Sequence, residues 1–164
     1  MRGGFGTATV AVPGGGYATA LAVANALGDV FDPEVGELVA GPRVPHGGPR
    51  RTADLWSGER LDGGHTTLVV VVTDRALGRD ALSRVAQMAH DGIARVEDPA
   101  HTMADGDVVF AVSLGAKPAD PSAVGWAAAA ATARAIVRGC RQATGLPGLP
   151  AWSDLHPPGR SRPQ

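Results

Sequence analysis

The sequence predicts a mixed α/β domain of α+β character, on three observations. Leu68-Val69-Val70-Val71-Val72 is an unbroken branched apolar run, the signature of a central strand covered on both faces. Pro13-Gly14-Gly15-Gly16 joins two apolar segments, Thr7 to Val12 and Tyr17 to Leu27, as a β-hairpin. Two later stretches carry apolar residues at helical spacing.

Length and composition set the frame for these elements. The 164 residues fit a single domain over residues 1–155, followed by a tail, 156–164, whose prolines predict disorder. The 15 basic and 16 acidic residues cancel, so nucleic acid is not an expected partner. Aromatic residues make up only 4%, leaving Ala, Val and Gly to build the core. Cys140 is the one cysteine, which excludes an internal disulfide and a multi-cysteine zinc or iron site and suits a cytoplasmic setting. No apolar h-region follows Met1-Arg2, and no run approaches the roughly 20 residues of a membrane span, so a soluble protein without membrane contact is expected.

In chain order, the hairpin's second segment places Asn25 inside an apolar strand, where a satisfied amide is the ordinary reading. Gly41 to Gly64 is rich in Pro, Gly, Arg and Asp and reads as a long loop, with Arg50-Arg51 on its solvated surface. The loop ends at His65-Thr66-Thr67, so two hydroxyls stand where a mobile segment enters a rigid strand, a place where chemistry is often found.

Asp80 to Val96 sets Leu82, Val85, Ala89, Ile93 and Val96 on one helical stripe, and Pro99 closes the segment. Its His90-Asp91 has no second histidine at ligand spacing, so no metal site is expected. Asp105-Gly106-Asp107, an acid pair or a solvated turn, leads into a strand from Val108 to Leu114. Asp120 and Pro121 are the N-cap and first residue of a helix that runs to about Thr144, with Gly145 as its stop. Trp126, Ala130, Ala133, Val137 and Cys140 form its apolar stripe, making Cys140 core filler. Trp152 and Leu155 are candidates to dock back on the domain.

Five segments in order resemble one known family: GGFGTATV from Gly3, AVANALGDVFDPEVGELVAG from Ala22, TTLVVVVTDRAL from Thr66, AQMAHDGIARV from Ala86 and HTMADGDVVFAVSLG from His101. They are similar to the L-aminopeptidase/D-esterase family, which includes β-peptidyl aminopeptidases and the nylon-oligomer hydrolase. The resemblance implies a self-processing N-terminal-nucleophile hydrolase with an α-β-β-α sandwich, of the type shared with ornithine acetyltransferase and here partial. Carried over residue by residue, it makes Thr66 the nucleophile freed by a cut at His65-Thr66, Thr67 the supporting hydroxyl, Asn25 the oxyanion donor, and Asp105 and Asp107 the acid pair.

Elementary chemistry agrees with that assignment. A threonine hydroxyl needs a base beside it, and a free α-amine with a pKa of about 7.7–8.0 supplies one on the same residue. No cofactor is called for, and the expected substrate is a small peptide, amide or ester. Two departures stand out. His65 replaces the Asn or Gly usual in the family before the nucleophile, which predicts self-cleavage that is slowed or prevented. Family members also carry a further half ahead of the hairpin, with an oxyanion tyrosine and a lysine whose place Arg2 roughly takes, so the expected partner is either that N-terminal half or another copy. The alternatives are a non-catalytic subunit needing a partner chain and an acyltransferase of the ornithine acetyltransferase type.

Overall fold

Turn chemistry fixes the first pair of strands. In the computed structural model, which describes residues 1–43, 50–57 and 64–157, β1 (Phe5–Ala11) and β2 (Tyr17–Val23) pair antiparallel from Ala11↔Tyr17 to Phe5↔Val23. Gly14, Gly15 and Gly16 take φ of 85, 107 and 88° in the connection, a conformation that a side chain would strain. β2 ends at Val23 rather than Leu27, so Asn25 lies just past the strand and not within it. The cause is a change of sheet: after the last rung, Ala24 N–H to Gly4 C=O at 2.9 Å, the chain turns at Gly28 into β3 (Asp29–Asp32). β3 forms a second, smaller sheet between β4 (Glu37–Ala40) and β6 (Glu97–Asp98).

The first sheet is completed across a helical crossover. β5 (Leu68–Ala76) pairs antiparallel with β2 and parallel with β7 (Val108–Pro118), with α2 (Arg79–Ala94) between the two parallel strands. The order is β1-β2-β5-β7. α3 (Pro121–Gln142) follows, and the Asp120 carboxylate accepts the Ser122 N–H at 3.0 Å as its N-cap. This helix stops at Gln142 with Ala143 already extended, so Gly145 is not its cap.

α3 lies over β1 and β2, α2 over β7, and the two helices pack on each other. Ala18, Ala20, Ala22, Val69 and Val71 face them, under Val85, Ala89 and Ile93 of α2 and Val124, Ala128, Ala131 and Ala135 of α3. Wedged between a sheet and a neighbouring helix, α3 buries two faces rather than one stripe, which leaves Trp126 on the outside. Cys140 is buried as expected.

The central strand differs from the sequence expectation. Val69 and Val71 are each 1% exposed, but Leu68 and Val70 are 46% and 38% exposed, so among the described residues β5 is covered on one face only. Register places Val23 beside Leu68, and Phe110 and Val112 beside Val70 and Val72, so an apolar patch covers the uncovered side of the sheet.

The long loop is also less solvated than its composition suggests. Arg51 Nε donates to Asp29 Oδ2 and Nη2 to Asp98 Oδ2, both at 2.8 Å. Thr52, opening the short helix α1 (Thr52–Leu55), gives its N–H and hydroxyl to Asp29 Oδ1 at 3.0 and 2.9 Å. Asp29 is wholly buried, and a buried carboxylate requires such partners. The rest of that loop, residues 44–49 and 58–63, lies outside the described residues, as do residues 158–164 of the tail. Ahead of it, Trp152 of α4 (Trp152–Leu155) stacks on His156 at 4.4 Å and lies beneath the Arg141 guanidinium at 5.2 Å, while Leu155 is exposed. Among the described residues, no helix is long and apolar enough to cross a membrane.

Helix and sheet meet at backbone distance. A Cβ on Gly6 would lie 2.1 Å from the Ala135 carbonyl oxygen, and one on Gly139 2.8 Å from the Gly4 oxygen. Gly139→Ala is therefore expected to lower the unfolding free energy by about 1–3 kcal/mol and Gly6→Ala by at least as much. Urea denaturation measures both, and an unchanged midpoint in either variant would contradict this packing.

Candidate active site

The head of β5 is clamped from both sides. On one side Thr66 N–H donates to the Asn25 carbonyl at 3.0 Å, and Asn25 Nδ2 donates to the Gly64 carbonyl at 3.0 Å. On the other, the run into β7 lies parallel to residues 65–67. Gly106 N–H donates to the His65 carbonyl at 2.9 Å, Val108 N–H to the Thr67 carbonyl at 3.1 Å, and Thr67 N–H to Asp107 Oδ1 at 2.8 Å. Period-two alternation then sends the two hydroxyls in opposite directions. Thr67 is fully buried on the helix side, where its hydroxyl donates to Glu97 Oε1 at 2.7 Å. Thr66 remains partly accessible, and its hydroxyl donates to the carbonyl of the residue before it, His65, at 2.6 Å.

The two acids do different things. Asp107 is nearly inaccessible, holding the Thr67 amide with one oxygen and His101 Nδ1 with the other at 2.9 Å. Asp105 turns its carboxylate back on Thr102, accepting both the N–H and the hydroxyl at 2.8 Å. Asn25, His65, Thr66, Thr67 and Asp107 thus form one hydrogen-bonded group, while the Asp105 side chain caps its own turn. Asn25 and His65 also line a cleft of about 580 Å³ with Arg2, Phe5, Val23 and Leu149.

Sequence reasoning missed two members of this group. Glu97 opens β6 three residues past the end of α2, and no local pattern marks it as buried. His101 holds Asp107 from a left-handed backbone, φ 56°, and its ring meets that of His90 edge-on at 4.9 Å. Burial and the neighbouring His101 lower the His90 pKa, so that imidazole favours its neutral form. Burial pushes the Cys140 thiol up to about 12, in keeping with a packing role.

One helical layer on a mixed sheet matches a part of the N-terminal-nucleophile hydrolase fold. Two solved structures share it: a Burkholderia β-aminopeptidase, at TM-score 0.58 and 24% identity over 86% of this chain and 42% of that one, and the L-aminopeptidase D-Ala-esterase/amidase of Ochrobactrum anthropi, at 0.51 and 21% over 84% and 39%. The latter is described as a prototype of the serine aminopeptidases and a variant of that fold.

The chain belongs to peptidase family S58, whose profile matches residues 1–151. An uncharacterised aminopeptidase of Mycobacterium tuberculosis is 35% identical over 182 aligned positions, covering 96% of this chain and 53% of that protein. The chain spans about half the length of the curated relatives it matches.

Glu97 gives the site a pH signature. Burial pushes its carboxyl up to about 8 from an ordinary 4.5, with Asp107 and Asp105 acting in the same direction and the Thr67 hydroxyl opposing. The folded chain keeps this proton while the unfolded chain releases it near 4.5, so the native state binds more protons between those values. Stability is then lost as pH rises through that window. Glu97→Gln keeps the acceptor and removes the titration. Its stability relative to wild type is expected to improve from pH 5 to pH 8 by a few kcal/mol in urea titrations, and parallel profiles would refute the assignment.

Proposed function

We propose that this chain carries the nucleophile of an aminopeptidase or amidohydrolase that cuts itself before Thr66 and then releases N-terminal residues from small peptides, amides or esters. The observation that carries the reading is the 2.6 Å hydrogen bond from the Thr66 hydroxyl to the carbonyl of the His65-Thr66 bond, in a chain belonging to a peptidase family. Nucleophile and target are adjacent at the head of a strand whose flanking amides are already fixed. Cleavage leaves Thr66 with a free amine beside its hydroxyl, the base that the hydroxyl lacks in the uncut chain.

The proposed roles follow from position. Asp107 fixes the Thr67 backbone and hence the direction of Thr66. Asp105 and Asp107 together give a negative field suited to a protonated amine, that of Thr66 or of a substrate. Asn25 holds the nitrogen of Thr66 through its carbonyl, and its amide is free to serve an oxyanion once the Gly64 carbonyl has left with the preceding segment.

The uncovered apolar face of the sheet favours a second component. In this reading it is covered by sequence equivalent to the rest of the relatives' length or by another copy of the chain. A chain that folds and assembles without chemistry rests on the same observation and is separated from the enzyme by the experiment below. The cytoplasmic setting argued from Cys140 belongs to the same proposal.

Mass spectrometry of the purified protein is expected to give two pieces, residues 1–65 and 66–164, and Thr66→Ala a single uncut chain. Amide hydrolysis by the cut form is expected to rise with pH through about 7.7–8.0 as the new amine loses its proton, and to drop to background in Thr66→Ala. An uncut wild-type chain without turnover, alone and with an added N-terminal half, would refute catalysis.

A further inference from the structure

Among the described residues, the carbonyl oxygen of His65 accepts two hydrogen bonds. One comes from the Thr66 hydroxyl, the attacking group itself, at 2.6 Å. The other is the main-chain N–H of Gly106 at 2.9 Å. The side chain nominated from sequence as oxyanion donor, the Asn25 amide, lies on the preceding carbonyl, that of Gly64, at 3.0 Å. A donor already aligned on the oxygen that gains charge stabilises the tetrahedral state without reorganising.

We propose that the main-chain N–H of Gly106 is the oxyanion donor for scission of the His65-Thr66 bond, an inference that rests on the self-cleavage reading above. Three features hold the donor in place. His65 and Asp105 form a parallel bridge, Val108 N–H binds the Thr67 carbonyl at 3.1 Å, and Asp107 grips the Thr67 amide at 2.8 Å, so residues 105–108 cannot drift from residues 65–67. A Cβ at position 106 would lie 2.7 Å from Thr66 Oγ1, so any side chain there would press on the attacking hydroxyl. The leaving nitrogen is held as well, by the Asn25 carbonyl at 3.0 Å.

The step balances without an outside oxidant or metal. Thr66 Oγ bonds to the His65 carbonyl carbon, and the carbonyl oxygen carries the negative charge under the Gly106 N–H. The hydroxyl proton passes to the Thr66 nitrogen as the C–N bond breaks, leaving an ester between His65 and Thr66 Oγ with a free amine. Water then adds its hydroxide to the ester carbon and its proton to Oγ, restoring the hydroxyl, and the His65 carboxylic acid so formed gives its proton to the freed Thr66 amine.

The test replaces Gly106 with glycolic acid by nonsense suppression, which exchanges the N–H for an ester oxygen without adding bulk. Appearance of the 66–164 piece by mass spectrometry is expected to slow about 100–1000-fold, while lactic acid at Ala104 leaves the rate unchanged. A glycolate chain that cuts at the wild-type rate, with Thr66→Ala still whole, overturns this inference and leaves self-cleavage standing. A wild-type chain that never cuts overturns both. If the glycolate chain fails to fold, isotope-labelled Thr66→Ala provides an independent readout: a through-hydrogen-bond coupling from the Gly106 nitrogen to the His65 carbonyl carbon is expected, and its absence overturns the assignment.

Discussion

Parallel pairing between the head of β5 and the run into β7 is the constraint on which the rest depends. It begins at the His65↔Asp105 bridge and continues from Leu68↔Val108 in the same register, so residues at both ends of the α2 crossover are brought side by side. Parallel neighbours need a long connection, and the 16-residue helix α2 supplies it while covering the edge of the sheet. With β2 on the opposite side of β5, the strand head has no freedom to slide. A shift by one residue would exchange the buried Thr67 with the accessible Thr66 and dismantle the site.

The two faces of the sheet are built differently. Toward the helices the residues are alanine, glycine and valine, which lets α3 approach β1 and β2 to backbone contact. Toward the open side they are larger, among them Phe5, Leu68, Val70 and Phe110. Each such side chain, partly in water, forgoes a share of the roughly 1.5–3 kcal/mol that full burial gives. The chain spans about half the length of its relatives, and its candidate site sits at the end of the sheet that α2 and α3 cover on one face.

Features that depend on local chemistry were legible in the sequence. Glycines at the hairpin, Asp120 and Pro121 at the start of α3, and the α2 stripe each act within a few residues. Features that depend on distant partners were not. Nothing near Asp29 signals that Arg51 and Thr52 will enclose it, and nothing near Glu97 signals the hydroxyl of Thr67 above it. The all-apolar run of β5 suggested two covered faces because composition does not distinguish a covered apolar face from an exposed one. Trp126 was misplaced because a helix between two neighbours has no single stripe. In the candidate site, Thr66, Asn25 and the acid pair were named through family resemblance, and the structure brings Thr66, Asn25 and Asp107 together while the Asp105 carboxylate turns to Thr102; the Gly106 N–H on the His65 carbonyl was not foreseen, since a main-chain donor leaves no mark on residue type beyond the glycine itself.

The strand order has a consequence for what scission would mean. β1 and β2 precede position 65 and β5 and β7 follow it, yet β2 and β5 are neighbours paired from Ala18↔Thr73 to Val23↔Leu68. Severing the link between them would make a heterodimer of a single domain, its interface being the former interior. Two products so joined share one core and separate only by unfolding.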